Sequence, residues 1–195
     1  MSFDSRLLLP AVLLSCLLAW AVASDVRDRR IPNQLVLLGM LAGLALQATV
    51  TPGAGLFSEP FGALGLLKAC AGMALGLLLL MPMYALGAMG AGDVKLMAMI
   101  GAFLGPLDIL GAGLASVLAG GVLALLVSLF QGSLGKVGRN IKEMVLGSVL
   151  RGMSGASARI DAPLTATGQL PYAVAIASGT ACYLLLTRYF GWSLL

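Results

Sequence analysis

Apolar stretches long enough to cross a bilayer recur along this chain, and they constrain its fold more than any other feature. A hydrocarbon core of about 30 Å takes roughly 17 to 25 residues as an α-helix, because in lipid the segment must satisfy its own backbone N–H and C=O groups. Six apolar runs can be read, at 7–24, 35–50, 61–89, 96–104, 109–130 and 170–189, the fourth of them short. Of the 195 residues, 59% are hydrophobic and 10% charged. An ordinary soluble domain carries about 25% charged residues, so a soluble fold could not cover its surface with so few. The expected architecture is all-α: a polytopic bundle of six transmembrane helices forming a single integral membrane domain over 1–195. The 26 glycines fit that reading, since small residues let membrane helices approach closely.

The charges exclude several classes. A net charge of +4 does not imply nucleic acid here, because the basic residues lie in loops between apolar runs rather than along one stripe. Cys16, Cys70 and Cys182 sit in separate apolar runs without C-x-x-C spacing, so no disulfide framework or zinc site is indicated. With no histidine in the chain, Ser-His and Cys-His mechanisms are closed to it. The first run ends in Ala21-Val22-Ala23, which has the form of a signal-peptide cleavage site, but Arg27, Arg29 and Arg30 directly after it would oppose translocation. A first span that delivers those arginines to the cytoplasm is the better reading.

Six spans put the loops after the first, third and fifth on one face. Nine of the twelve basic residues fall there: Arg27, Arg29, Arg30, Lys95, Lys136, Arg139, Lys142, Arg151 and Arg159. The positive-inside rule makes this face cytoplasmic and both termini external. Within the polar stretch 131–169, Val137, Ile141, Val145 and Val149 recur at helical spacing, which predicts an interfacial amphipathic helix near 136–150.

Parity also brings two acids together. Asp25 follows the first span and Asp93 follows the third. Counted from Gly90, the fourth run rises only about 22 Å as a helix, so Asp93 is expected below the membrane surface. Charged groups at such depth are costly and usually functional. Two carboxylates brought close share a proton, so one can take a proton from water while the other polarises a carbonyl. The residues alone also allow a structural account, in which Asp25 pairs with the following arginines and Asp93 with Lys95. Gly90 and Gly92 weigh against it by permitting an irregular backbone beside the acid.

Asp25-Val26-Arg27-Asp28-Arg29-Arg30-Ile31-Pro32-Asn33, together with Gly90-Ala91-Gly92-Asp93-Val94-Lys95, resembles the paired signature of the type IV prepilin peptidases, a family of GxGD intramembrane aspartic proteases. The segment from Leu170-Pro171-Tyr172 to Ala177 is similar to that family's final helix. The resemblance implies a catalytic pair, Asp25 and Asp93, with Asp28 a loop charge. Lys95 matches the motif and would tune Asp93 or hold its loop. Gly90 and Gly92 would serve backbone geometry, and Pro32 and Asn33 would set the entry of the second helix. Tyr172 is read either as reaching the site through its hydroxyl or as an interfacial anchor.

The reaction that the resemblance implies is removal of the leader peptide from prepilin or pseudopilin subunits at the cytoplasmic face of a bacterial or archaeal plasma membrane, without metal or organic cofactor. The substrate would have a basic leader and an apolar stem, and lipid is the other partner. Longer family members carry an N-terminal extension with cysteine pairs and are associated with N-methylation. This sequence opens on its first span, so methyltransferase activity is not expected and the compact branch serving tight-adherence (Flp-type) pili fits best, with the archaeal preflagellin branch as the other compact form. Two other classes compete. A small proton-coupled transporter would place an acid in mid-span and has no use for Ile31-Pro32-Asn33. A non-catalytic subunit of a pilus or secretion machine would tolerate loss of either aspartate.

Overall fold

The computed structural model describes residues 5–58, 60–87, 89–130 and 171–190. Among them are six helices: α1 (Ser5–Asp28), α2 (Asn33–Thr49), α3 (Leu66–Ala85), α4 (Ala91–Leu104), α5 (Asp108–Phe130) and α6 (Tyr172–Phe190). The amphipathic helix expected near 136–150 lies outside the described residues. Three stretches are long and apolar enough to cross a membrane, Leu9–Asp28, Leu66–Ala85 and Asp108–Phe130. The others are shorter, 17 residues in α2 and 14 in α4, and the latter rises only about 21 Å.

The local sequence sets the breaks. The helix α1 runs past the expected boundary at Ser24 to Asp28, and Arg29, in the left-handed region at φ 54°, ends it. Its N–H still reaches the Asp25 carbonyl at 3.0 Å, so Asp25 belongs to the last turn of α1 rather than to a loop. Pro32 disfavours helix at Ile31 and serves as the extended N-cap of α2. The helix α3 ends at Ala85, followed by Leu86 and by Gly87 at φ +77°.

Packing is uneven. The helix α4 is enclosed: from Val94 to Leu104 every residue except Lys95 is buried. Around it stand α1, α2, α3, α5 and α6, while α5 turns Leu118, Val122, Leu125 and Leu129 outward. Two helix pairs are joined through backbone. Between α3 and α4, a Cβ at Gly72 would stand 2.6 Å from the Gly105 carbonyl carbon, and one at Gly76 would stand 3.0 Å from that of Met97. Between α5 and α6, a Cβ at Gly179 would stand 2.7 Å from the Ala115 carbonyl carbon. With no hydrophobic drive between helices in lipid, such close approach is what holds a pair together. The helix α2 packs chiefly on α4, and α1 packs more on α6 than on α4. The closest-packed pairs are thus α3 with α4 and α5 with α6, while α1 divides its contacts between α6 and the α2–α4 side.

The end of the bundle that carries the α2–α3 connection is closed by polar groups. Gln47, 2% exposed, donates from Nε2 to the Phe103 carbonyl at 3.0 Å and accepts the Leu64 N–H at 2.7 Å. The connection itself is stitched by backbone bonds between Gly53 and Ala63 (3.0 Å) and between Thr51 and Ala63 (2.8 Å).

Candidate functional site

At the opposite end, both expected acids are buried, Asp25 at 9% exposure and Asp93 at 8%. Asp25 sits in the last turn of α1, on the face turned toward α6. Its Oδ2 accepts the Ala173 N–H at 3.1 Å, a bond spanning 148 residues of sequence. Ala173 is the second residue of α6, so one of the unpaired donors at that helix start is aimed at the carboxylate.

Asp93 occupies the third position of α4, after the N-cap Gly90. Its N–H donates to the Gly90 carbonyl and its Oδ2 accepts the Gly90 N–H, both at 3.2 Å. This reciprocal pair shapes the helix entrance as a capping box does, with the glycine backbone in place of a capping side chain. The two carboxylates stand at the same end of the bundle, Asp25 in the last turn of α1 and Asp93 in the first turn of α4.

The glycines act differently from the expectation. Gly90 has φ −81° and Gly92 lies inside α4, so neither needs glycine's conformational freedom and the backbone beside Asp93 is regular. Their role is room. A Cβ at Gly92 would stand 3.3 Å from the Ile31 Cβ, tighter than ordinary contact, and one at Gly90 would stand 3.5 Å from Asp93 Oδ2. Gly92 therefore lets the α1–α2 connection rest on the start of α4.

Lys95 and Asn33 are brought together, with Nζ donating to Asn33 Oδ1 at 3.1 Å. Lys95 is thereby a brace from α4 to the first turn of α2, and Asn33 does this instead of capping its own helix, which has no side-chain cap. Pro32 is the N-cap, as expected. Asp28 is exposed, unlike the buried pair, and so are Arg27, Arg29 and Arg30. One contributor was not evident from the motifs, the Ala173 N–H, which no side-chain pattern announces. Tyr172, read from the sequence either as reaching the site or as an interfacial anchor, is half-buried at the start of α6.

These observations define a helical membrane protein that keeps two carboxylates out of water at one end of its bundle. The family model of the type IV leader peptidases matches residues 12–125, a stretch from α1 into α5 that includes both acids, and the chain belongs to that family. Membership implies peptidase activity on prepilin-type substrates. No curated protein and no solved structure matches the chain.

Proposed function

We propose that this protein is an aspartic endopeptidase that removes leader peptides from prepilin-like subunits, using Asp25 and Asp93 to activate water. The observation that carries this reading is the burial of both carboxylates, from two different helices, at one end of the bundle. Like charges held close in a poorly solvated site favour a single shared proton. The ionised carboxylate takes a proton from water, whose oxygen attacks the scissile carbonyl carbon, while the protonated one donates to the carbonyl oxygen. Collapse of the tetrahedral intermediate breaks the C–N bond, with the leaving amine taking a proton from the dyad.

Siting at the cytoplasmic face follows from charge. The exposed Arg27, Arg29, Arg30 and Lys95 all lie at the end of the bundle that holds the acids, and basic loops stay inside. A substrate with a basic leader and an apolar stem obeys the same rule, so its junction would arrive at that depth. The test is cleavage of a prepilin-type substrate by the reconstituted protein and its Asp25→Ala, Asp93→Ala and Asp28→Ala variants. Loss in the first two and retention in the third is expected. Persistent cleavage by Asp93→Ala would sink the dyad.

A further inference from the structure

Resting on the dyad reading, we propose that Ile31 is a positioning residue for the catalytic pair: seated on Gly92, it fixes how the end of α1, which carries Asp25, stands against the start of α4, which carries Asp93. Among the described residues, the Asp25 carboxylate bonds to α6 through the Ala173 N–H, and the Asp93 carboxylate bonds to the start of its own helix through the Gly90 N–H. Neither bond joins α1 to α4. The two helices also share little surface directly, since α1 packs more on α6. The link between the acids therefore runs through the connection from α1 to α2.

That connection is short and held on both sides. It begins at Arg29, whose N–H closes the last turn of α1 on the Asp25 carbonyl at 3.0 Å. The φ of 54° at Arg29 is one that a non-glycine residue keeps only where its surroundings hold it. Two residues on, Ile31 is half-buried against the core, and a Cβ at Gly92 would stand 3.3 Å from its Cβ and 3.5 Å from its Cγ1 and Cδ1. Gly92 is the covalent neighbour of Asp93. Asn33 then accepts from Lys95 Nζ at 3.1 Å. Residues 31 and 33 thus meet α4 on either side of Asp93, one by packing and one by a hydrogen bond. A helix entrance accounts for Pro32 but not for these two contacts with another helix. Of the two, the exposed Lys95 bond is the weaker tie, because water competes for it. Proton transfer among two carboxylates, a water and a carbonyl depends on their alignment, and a misplacement of about 1 Å can cost about 100-fold in rate.

The test exchanges volume across the contact, in full-length protein reconstituted in vesicles, on a prepilin-type substrate. Gly92→Ala overfills the contact and Ile31→Ala empties it. Each is expected to lower kcat by roughly 3- to 30-fold through a displacement of less than 1 Å, with KM near the wild-type value. Gly92 lies inside α4, where alanine favours the helix, so a lower kcat with an undiminished melting temperature separates positioning from unfolding. The double variant Gly92→Ala/Ile31→Ala returns a methyl group to the space the isoleucine leaves. Its kcat should recover to within about 3-fold of wild type, whereas independent effects would multiply to a loss of roughly 10- to 1,000-fold. Ile31→Val, which keeps the Cβ and its contact, should stay near wild type. A wild-type kcat in either single variant, multiplied losses in the double variant, or a rise in KM alone, as for a substrate contact, would overturn the inference. Ile31→Ala introduces no clash, so it decides the matter even if Gly92→Ala fails to fold. If Asp93→Ala is inactive while Ile31→Ala cleaves normally, only this inference fails; if Asp93→Ala still cleaves, the dyad fails first.

Discussion

The two ends of α4 differ in how they use polar groups. At Phe103, both amide atoms of Gln47 are engaged, one with the α4 carbonyl and one with the Leu64 N–H. That end is closed. At Asp93, each buried carboxylate accepts one backbone N–H among the described residues, although a carboxylate offers about four acceptor sites. One end of the helix is fixed by satisfied bonds, and the other holds acceptor capacity in reserve. A peptidase needs both, a fixed reference for its carboxylates and unspent polar capacity for water and substrate.

The comparison predicts that changes at the two ends separate activity from stability. The largest effect on activity belongs to Asp93→Asn and Asp25→Asn, each expected to lower cleavage by about 10³-fold or more, since the acid–base chemistry is lost outright. Thermal unfolding in detergent should show both variants folded, because a buried carboxylate is costly and its amide is less so. A large loss of melting temperature in either would make the acids structural and erase the distinction.

Next come the backbone contacts. Gly72→Leu places a side chain against the Gly105 backbone and should cost at least about 1–3 kcal/mol in unfolding free energy, as overpacking does. Gln47→Leu leaves the Phe103 carbonyl and Leu64 N–H unpaired, a cost of roughly 1–3 kcal/mol for each orphaned group. Cleavage per folded molecule should change little in Gln47→Leu, since the site lies at the other end of α4. The smallest of this set is Lys95→Met, which removes an exposed brace to Asn33 and should cost about 0.5–1.5 kcal/mol. A cleavage loss in Lys95→Met as deep as that of Asp93→Asn would show that the lysine acts on the chemistry.

Much of this end of the molecule could be read from sequence because its signals are local or topological. Helix parity needs only the apolar runs, and it brought Asp25 and Asp93 to one end. The motif marks Gly90 and Gly92 but not their purpose: glycine signals either a special backbone or a close neighbour, and at Gly92 the position of Ile31 decides between them. The apolar run ends at Ser24, where charged residues begin, whereas the helix persists until Arg29 turns left-handed. The Ala173 bond to Asp25 and the packing of Tyr172 beside Gly120 join residues 148 and 52 positions apart. No local pattern encodes contacts of that range. Gln47 left a trace, a lone amide near the end of an apolar run, which is costly in a membrane unless it is bonded.

The enclosure of α4 also determines which parts of the site can sense the bilayer. The helix α1 leaves Leu9, Val12 and Trp20 exposed, so in a bilayer its apolar length would meet the acyl chains directly, whereas α4 is shielded by its neighbours. A thinner or thicker bilayer is accommodated by tilt, at fractions of a kcal/mol per Å of mismatch. Tilt of α1 would raise or lower Asp25 while Asp93 stayed at its level. Cleavage measured in vesicles of graded chain length should therefore pass through an optimum, and the vertical alignment of the two acids becomes a property shared between the protein and its lipid.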